Sequence, residues 1–171
     1  LPDFPAEIRA PAGTLAGVSG FQVHFAAEDV RTPADHPDVL VAFNPAALKA
    51  NLGDVRPGGM VIVNSDSFND KANAKAGYDS DPLPALRDRY RMVEIPFTRL
   101  NREAIKDLGL SGRDADRTKN FFALGLMFWL YNRPMDSTLQ WLEQQFKGKG
   151  ALLEANQRVL KAGYAFGETT E

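Results

Sequence analysis

The residues of this sequence best suited to contact a ligand stand beside two short apolar runs in its first half: Asn44, Pro45, Asn64, Ser65 and Asp66. Amide, hydroxyl and carboxylate groups at the ends of strands and the starts of helices can hydrogen-bond the polar parts of a nucleotide. These residue types therefore indicate a site for a nucleotide-like ligand. A plainer interpretation carries equal weight: Asn44 only caps a helix, and the later polar residues only turn a loop.

A strand-helix-strand unit over residues 38–66 would bring these side chains together. Residues 39–43 and 60–63 are apolar without alternation, as expected of strands buried on both faces of a parallel sheet. Asn44 and Pro45 are typical of a helix start, and a Pro-Gly-Gly turn precedes the second strand. A crossover of this length makes the strands parallel, so both polar groups are predicted at the carboxyl edge of the sheet, where α/β proteins bind ligands.

Length, composition and charge limit the classes of function. The chain has 171 residues, of which 44% are hydrophobic and 25% charged, and this predicts one globular domain with a substantial core. A formal charge of -2 provides no broad basic surface, so we expect no nucleic-acid partner. The sequence shows no signal peptide and no apolar stretch that could span a bilayer, and it lacks cysteine; we expect a cytoplasmic protein that does not associate with membranes.

Metal binding is not predicted. The sequence contains no cysteine and only two histidines, His24 and His36. Carboxylates at spacings that would complete a metal site with these histidines are not found. The absence of cysteine also means that an iron-sulfur cluster would have to be held by another chain or domain.

The first 20 residues contain three prolines and three glycines and predict an extended loop. Glu7, Arg9, Gly13 and Thr14 lie in this loop. Its small residues would allow a ligand or a partner to approach closely, which makes these four residues candidates for an active-site or interface loop. The more common outcome for such charges is exposure to solvent with little energetic effect.

The remaining elements complete an α/β pattern. Strands are predicted over residues 21–25, at a sheet edge, and over residues 90–97, with a polar and flexible stretch between residues 69 and 89. Helices are predicted over residues 101–108, from a cap at Ser111 to Pro134, over 136–146 and over 152–162, before a polar tail from Gly167. The predicted fold class is therefore α/β: a Rossmann-like, three-layer domain with a mainly parallel sheet and C-terminal helices.

The helix predicted after Ser111 includes an almost continuous apolar run at residues 121–131. The run is too short to cross a membrane. A helix that is apolar on all sides in a small domain suggests that a second protein surface covers part of it, and burial within the chain is equally favoured.

Four long segments closely resemble one protein family. They are FPAEIRAPAGTLAGVSGFQVHF (4–25), DVLVAFNPAALKANL (38–52), FFALGLMFWLYNRP (121–134) and ANQRVLKAGYAFGETTE (155–171). The resemblance is to the gamma-type domain of 2-oxoacid:ferredoxin oxidoreductases, and most closely to the alpha subunit of the 2-oxoglutarate-specific enzymes. In that subunit the domain is fused ahead of a thiamine-fold domain.

The resemblance implies a role in oxidative decarboxylation. Enzymes of this kind convert 2-oxoglutarate and coenzyme A to succinyl-CoA and carbon dioxide, and pass two electrons to ferredoxin. Thiamine diphosphate, Mg²⁺ and a 4Fe-4S cluster would lie in the thiamine-fold domain of the same subunit or in the beta subunit. This domain would contribute coenzyme A binding and subunit packing, with Asn44 and Pro45 near a phosphate or pantetheine group and Asn64, Ser65 and Asp66 near polar groups of the nucleotide.

The sequence departs from the family pattern at its start. The family domain opens with a strand, a glycine-rich turn and a helix, and Leu1 falls after them. We therefore expect residues 1–171 to be a gamma-type domain that lacks its first β-α unit, a fragment of a longer subunit with an incomplete site for coenzyme A. Two alternatives stay open: the latter half of a nicotinamide-binding Rossmann domain, and a non-catalytic assembly module.

Overall fold

The structure, a computed structural model, describes residues 20, 22–24 and 36–170. The chain divides into two compact units, Leu1–Ile95 and Pro96–Glu171. The first unit contains the strands, and the second unit is helical in its described residues.

Within its described residues, the first unit contains a three-stranded parallel sheet of order β1-β2-β3. The strands are β1 (Val39–Ala42), β2 (Met60–Asn64) and β3 (Arg91–Ile95). The middle strand, β2, is almost entirely buried, which explains its unbroken apolar sequence. Ala42 pairs with Val63, and Asn64 pairs with Ile95, so the carboxyl ends of the three strands lie along one edge.

Short helices connect the strands of this sheet. They are α1 (Pro45–Asn51), α2 (Asp70–Lys75) and α3 (Leu83–Leu86). Val61 and Val63 of β2 belong to a buried cluster with Leu48 of α1 and both ends of α3. Because side chains alternate along a strand, Ile62 and Asn64 point to the other face.

The second unit consists of four helices. They are α4 (Phe97–Ala104), α5 (Gly112–Leu130), α6 (Asp136–Gln145) and α7 (Gly150–Thr169). A 3-10 turn at Lys106–Leu108 follows α4. Helices α5 and α7 pack closely because glycines lie between them: a β carbon added at Gly125 would come within 2.0 Å of the carbonyl oxygen of Leu160. None of the helices in the described part of the chain is long and apolar enough to cross a lipid bilayer.

The predicted α/β class, with a parallel sheet and C-terminal helices, is confirmed. The strand-helix-strand unit over residues 38–66 is confirmed as β1, α1 and β2. The predicted cap at Ser111 is confirmed as well, because its hydroxyl oxygen accepts from the backbone N–H of Asp114 at 3.2 Å. A single domain over residues 1–171 stays a prediction.

Two predicted elements of the first unit are wrong. Residues 22–24 carry no strand, and Val23 is 61% exposed; an alternating pattern forms a strand only where a neighbouring strand pairs with it. The stretch predicted to be flexible contains α2 and α3 instead. Leu83 and Leu86 are buried in the core, and burial of two leucines orders a segment whose composition is polar.

Two helices of the second unit differ in extent from the prediction. The helix predicted at residues 101–108 begins at Phe97 and ends at Ala104, because Phe97 is fully buried and anchors its first turn. The helix predicted at residues 152–162 extends over the whole of α7 and includes Gly163 and Gly167. Both glycines face α5 at close contact, so they serve packing and do not end the helix.

Candidate functional site

The predicted site residues of the first unit lie at the carboxyl edge of the sheet. One residue separates Asn44 from the end of β1, and Ser65 and Asp66 follow β2 directly. The β1-β2 register, which ends with Ala42 beside Val63, brings the two groups to adjacent strand ends. Glu7, Arg9, Gly13 and Thr14 lie outside the described residues, and their role as an active-site or interface loop stays a prediction.

Asn44 caps α1. Its side-chain oxygen accepts a hydrogen bond from the backbone N–H of Ala47 at 2.8 Å, and its backbone is extended, as is typical of an N-cap. Pro45 occupies the first helical position, is buried and has no N–H to donate. The start of this seven-residue helix therefore has few free donors, and a contact from Asn44 to a ligand would have to use its side-chain NH₂ group.

Asn64 is the most buried of the predicted site residues, with 0% of its surface exposed. It is the last residue of β2, where a polar side chain is unusual because burial without hydrogen bonds is costly. Its side-chain NH₂ donates to the hydroxyl of Ser67 at 2.7 Å. This bond joins the end of the central strand to the turn that follows.

That turn is a single 3-10 turn over Ser65–Ser67. All three of its residues are half-buried, and the turn contacts β3. The Ser65 hydroxyl and the Asp66 carboxylate are thus held at the sheet edge with part of their surface open to solvent. Ser67 joins the candidate site through its bond to Asn64, and sequence reasoning missed it; the available signal was its position three residues after a buried asparagine.

The basic residue of α1, Lys49, lies at the end of the helix that is far from the carboxyl edge of the sheet, so it cannot contact a ligand there. Lys49 is in the last turn of α1, whereas the carboxyl edge of the sheet is at the first turn. Its ammonium group donates to the carbonyl oxygen of Gly77 and lies 4.9 Å from the centre of the Tyr78 ring. Partial burial raises the pKa of Tyr78, so this phenol stays neutral at physiological pH.

A shallow, mainly basic groove lies on α4. It is lined by Pro96, Arg99, Leu100, Arg102, Glu103 and Lys106. Arg102 hydrogen-bonds Asp116 at 2.8 Å, and Lys106 pairs with Glu103. Because these cations are already neutralised, the groove is a weaker candidate for an anionic ligand than its composition suggests.

The described residues do not form a site for the inorganic groups that the resemblance implies. Within residues 20, 22–24 and 36–170, no group of three or more His, Cys, Asp or Glu side chains is arranged to hold a metal ion. The sequence has no cysteine, which is the usual ligand of a 4Fe-4S cluster. The polar groups at the sheet edge are amides and hydroxyls, which donate and accept hydrogen bonds, and a carboxylate, which accepts them; these groups are suited to an organic ligand.

Comparison with known proteins identifies similar chains among the 2-oxoacid oxidoreductases. The family model described as pyruvate ferredoxin/flavodoxin oxidoreductase matches residues 1–166. The chain is 50% identical, over 99% of its length, to 2-oxoglutarate oxidoreductase subunit KorA of Mycobacterium tuberculosis. It is 34% identical, over 86% of its length, to ketoisovalerate oxidoreductase subunit VorA of Methanothermobacter marburgensis. The matched region is 26% and 27% of these relatives, so the chain spans about a quarter of their length.

Among solved structures, the chain is similar to pyruvate oxidoreductase subunit PORC of Thermotoga maritima. The sequence identity is 19%, and the TM-score is 0.44. The match covers 77% of this chain and 64% of that one.

Proposed function

The chain belongs to the pyruvate ferredoxin/flavodoxin oxidoreductase family, and from that membership we propose that it is part of a 2-oxoglutarate:ferredoxin oxidoreductase. The observation that carries the proposal is the 50% identity to a 2-oxoglutarate oxidoreductase subunit over 99% of the chain. Within the complex, we propose that this domain contributes coenzyme A binding and subunit packing and is not catalytic by itself.

The proposed reaction of the complex is the conversion of 2-oxoglutarate and coenzyme A to succinyl-CoA and carbon dioxide, with two electrons passed to ferredoxin. Thiamine diphosphate supplies the electron sink for decarboxylation when it is bound, with Mg²⁺ and a 4Fe-4S cluster, elsewhere in the complex. The absence of cysteine from this chain is consistent with that division of labour. Its proposed partners are a thiamine-fold domain, a beta subunit and ferredoxin, and its proposed location is the cytoplasm.

The chemistry of the sheet edge indicates which parts of coenzyme A each residue would contact. The carboxylate of Asp66 would repel phosphates, so we assign it to N–H or O–H donors of the pantetheine arm or the nucleoside. The Ser65 hydroxyl can either donate or accept. The NH₂ group of Asn44 is the donor suited to a phosphate or a pantetheine carbonyl, since its oxygen is occupied by the cap.

Steady-state kinetics of the intact complex test the proposal. Ser65→Ala and Asp66→Ala are each expected to raise the KM for coenzyme A about fivefold to tenfold, which corresponds to the loss of one hydrogen bond. The KM for 2-oxoglutarate should not change. Asp79→Ala and Ser80→Ala are matched controls, because both residues are exposed in the same unit. An unchanged KM for coenzyme A in both site variants would show that the carboxyl edge of the sheet does not bind coenzyme A.

A further inference from the structure

We infer that Asn64 is a positioning residue, which fixes the turn that presents Ser65 and Asp66 to coenzyme A. The inference rests on the proposed function and assigns a role to a side chain that need not touch the ligand. Its observed basis is the hydrogen bond from the Asn64 side chain to Ser67.

The side-chain bond from Asn64 to Ser67 adds to the backbone bonding of the turn. The bond that closes it, from the N–H of Phe68 to the carbonyl of Ser65, is 3.4 Å long, near the outer limit for such bonds. The bond from Asn64 to Ser67 is 2.7 Å long and starts from a side chain with no exposed surface. The shorter side-chain bond therefore places a second restraint on the shape of this turn.

The location of Asn64 makes it a rigid anchor. It ends the central strand of the sheet, paired with Ile95 of β3 on one side, and the preceding residue Val63 pairs with Ala42 of β1 on the other. An apolar residue here would continue the buried face that includes Ile62 at no polar cost. An asparagine in its place costs desolvation, and the gain is a fixed connection between the strand and the turn.

The conformation of this turn sets the positions of the two proposed contacts with coenzyme A. Ser65 and Asp66 lie between the two ends of the Asn64–Ser67 bond, within one 3-10 turn that rests against β3. Loss of the bond would let both residues occupy several conformations. Coenzyme A would then have to order the turn when it binds, and its affinity would fall.

The test is a double-mutant cycle in the intact complex. Ser67→Ala removes the acceptor from a half-buried position and leaves Asn64 in place. We expect it to raise the KM for coenzyme A about fivefold, while kcat and the KM for 2-oxoglutarate stay within about twofold. Asn64→Ala should raise the same KM at least as much. The KM for coenzyme A of the double variant should match that of Asn64→Ala within about twofold, because both substitutions break the same hydrogen bond between Asn64 and Ser67.

The outcomes separate this inference from the proposed function. If Ser67→Ala leaves the KM for coenzyme A within twofold of the parent while Ser65→Ala raises it, the positioning role is refuted and the proposed function stands. If none of these variants changes the KM for coenzyme A, the positioning role and the proposed function are both refuted. Multiplicative effects in the double variant, or equal losses of kcat and of affinity for both substrates, would show general structural damage and also refute the positioning role.

Discussion

Gly163 of α7 packs against the backbone of Phe122 in α5 so closely that a β carbon at Gly163 would lie 2.0 Å from the Phe122 carbonyl oxygen. Gly125 of α5 makes the reciprocal approach to the carbonyl oxygen of Leu160. The two helices therefore meet backbone to backbone at two glycines, and the Phe122 ring also contacts the Phe166 ring of α7, with the ring centres 5.9 Å apart.

Gly163→Ala is expected to destabilise the second unit by about 2 kcal/mol, because overpacking outweighs the gain of about 1 kcal/mol in helix propensity. Hydrogen exchange of α5 and α7 in the intact protein would measure the change as faster exchange. Gly150→Ala is the matched control, since Gly150 begins α7 with open space around it and should not accelerate exchange. Equal exchange in both variants would contradict the close packing.

Asn101 connects α4 to α5 through a buried network. Its NH₂ donates to the Ala115 carbonyl at 2.7 Å, and its oxygen accepts from the Thr118 hydroxyl at 2.9 Å. Asn101→Leu should cost about 1–2 kcal/mol, because the Ala115 carbonyl and the Thr118 hydroxyl each lose one hydrogen bond and keep the one between them. The midpoint of thermal unfolding should fall for Asn101→Leu and stay near the parent for Asn120→Leu, whose asparagine is exposed on α5. A similar midpoint for both variants would show that the network contributes little.

The ion pair between Asp107 and Arg158 should make stability depend on pH. Hydrogen bonds from the Arg158 guanidinium, at 2.8 Å, hold the pKa of Asp107 below its ordinary value. The pair therefore stabilises the fold fully above the unfolded pKa of about 3.9, and this contribution is lost as the pH falls through the lower folded pKa.

The difference in unfolding midpoint between the parent and Asp107→Asn should thus be constant from pH 7 to pH 5 and shrink at lower pH. It should also shrink in concentrated salt, because both side chains are partly exposed. Asp88→Asn, at an exposed aspartate of the first unit, should show no such trend. A difference that grows as the pH falls would have the wrong sign for this pair.

Asn44 allows its capping role to be separated from a ligand role. Asn44→Ala should destabilise α1 by about 1 kcal/mol, because the Ala47 N–H loses its acceptor. Asn44→Asp keeps a capping oxygen but replaces the NH₂ donor with a negative charge. If Asn44 contacts coenzyme A, Asn44→Asp should raise the KM for coenzyme A while hydrogen exchange in α1 stays normal. An unchanged KM would leave Asn44 with the cap alone.

Local signals made the strand-helix-strand unit predictable. The apolar run of β2 shows no alternation because the strand is buried along almost its whole length, and the Asn44 cap depends only on residues within one turn. The position of the site at the carboxyl edge follows from the handedness and length of the crossover. No other part of the chain needs to be known for these inferences.

Features that depend on the folded conformation were not predictable. Gly163 and Gly167 resemble helix-ending residues until α5 is known to lie against them, with the Trp129 ring next to Gly167. The role of Ser67 depends on a 3-10 turn that brings its hydroxyl back to Asn64. In both cases the residue type is common, and its function comes from a contact that the sequence does not display.

A structure of the intact complex with bound coenzyme A, determined without the 2-oxoacid, tests the central claim most directly. The account predicts density for coenzyme A along the carboxyl edge of the sheet, with polar atoms within hydrogen-bond distance of Ser65 or Asp66 and an intact bond between Asn64 and Ser67. Fully occupied coenzyme A that contacts other domains alone, with the Ser65–Ser67 turn facing only solvent or protein, would contradict it.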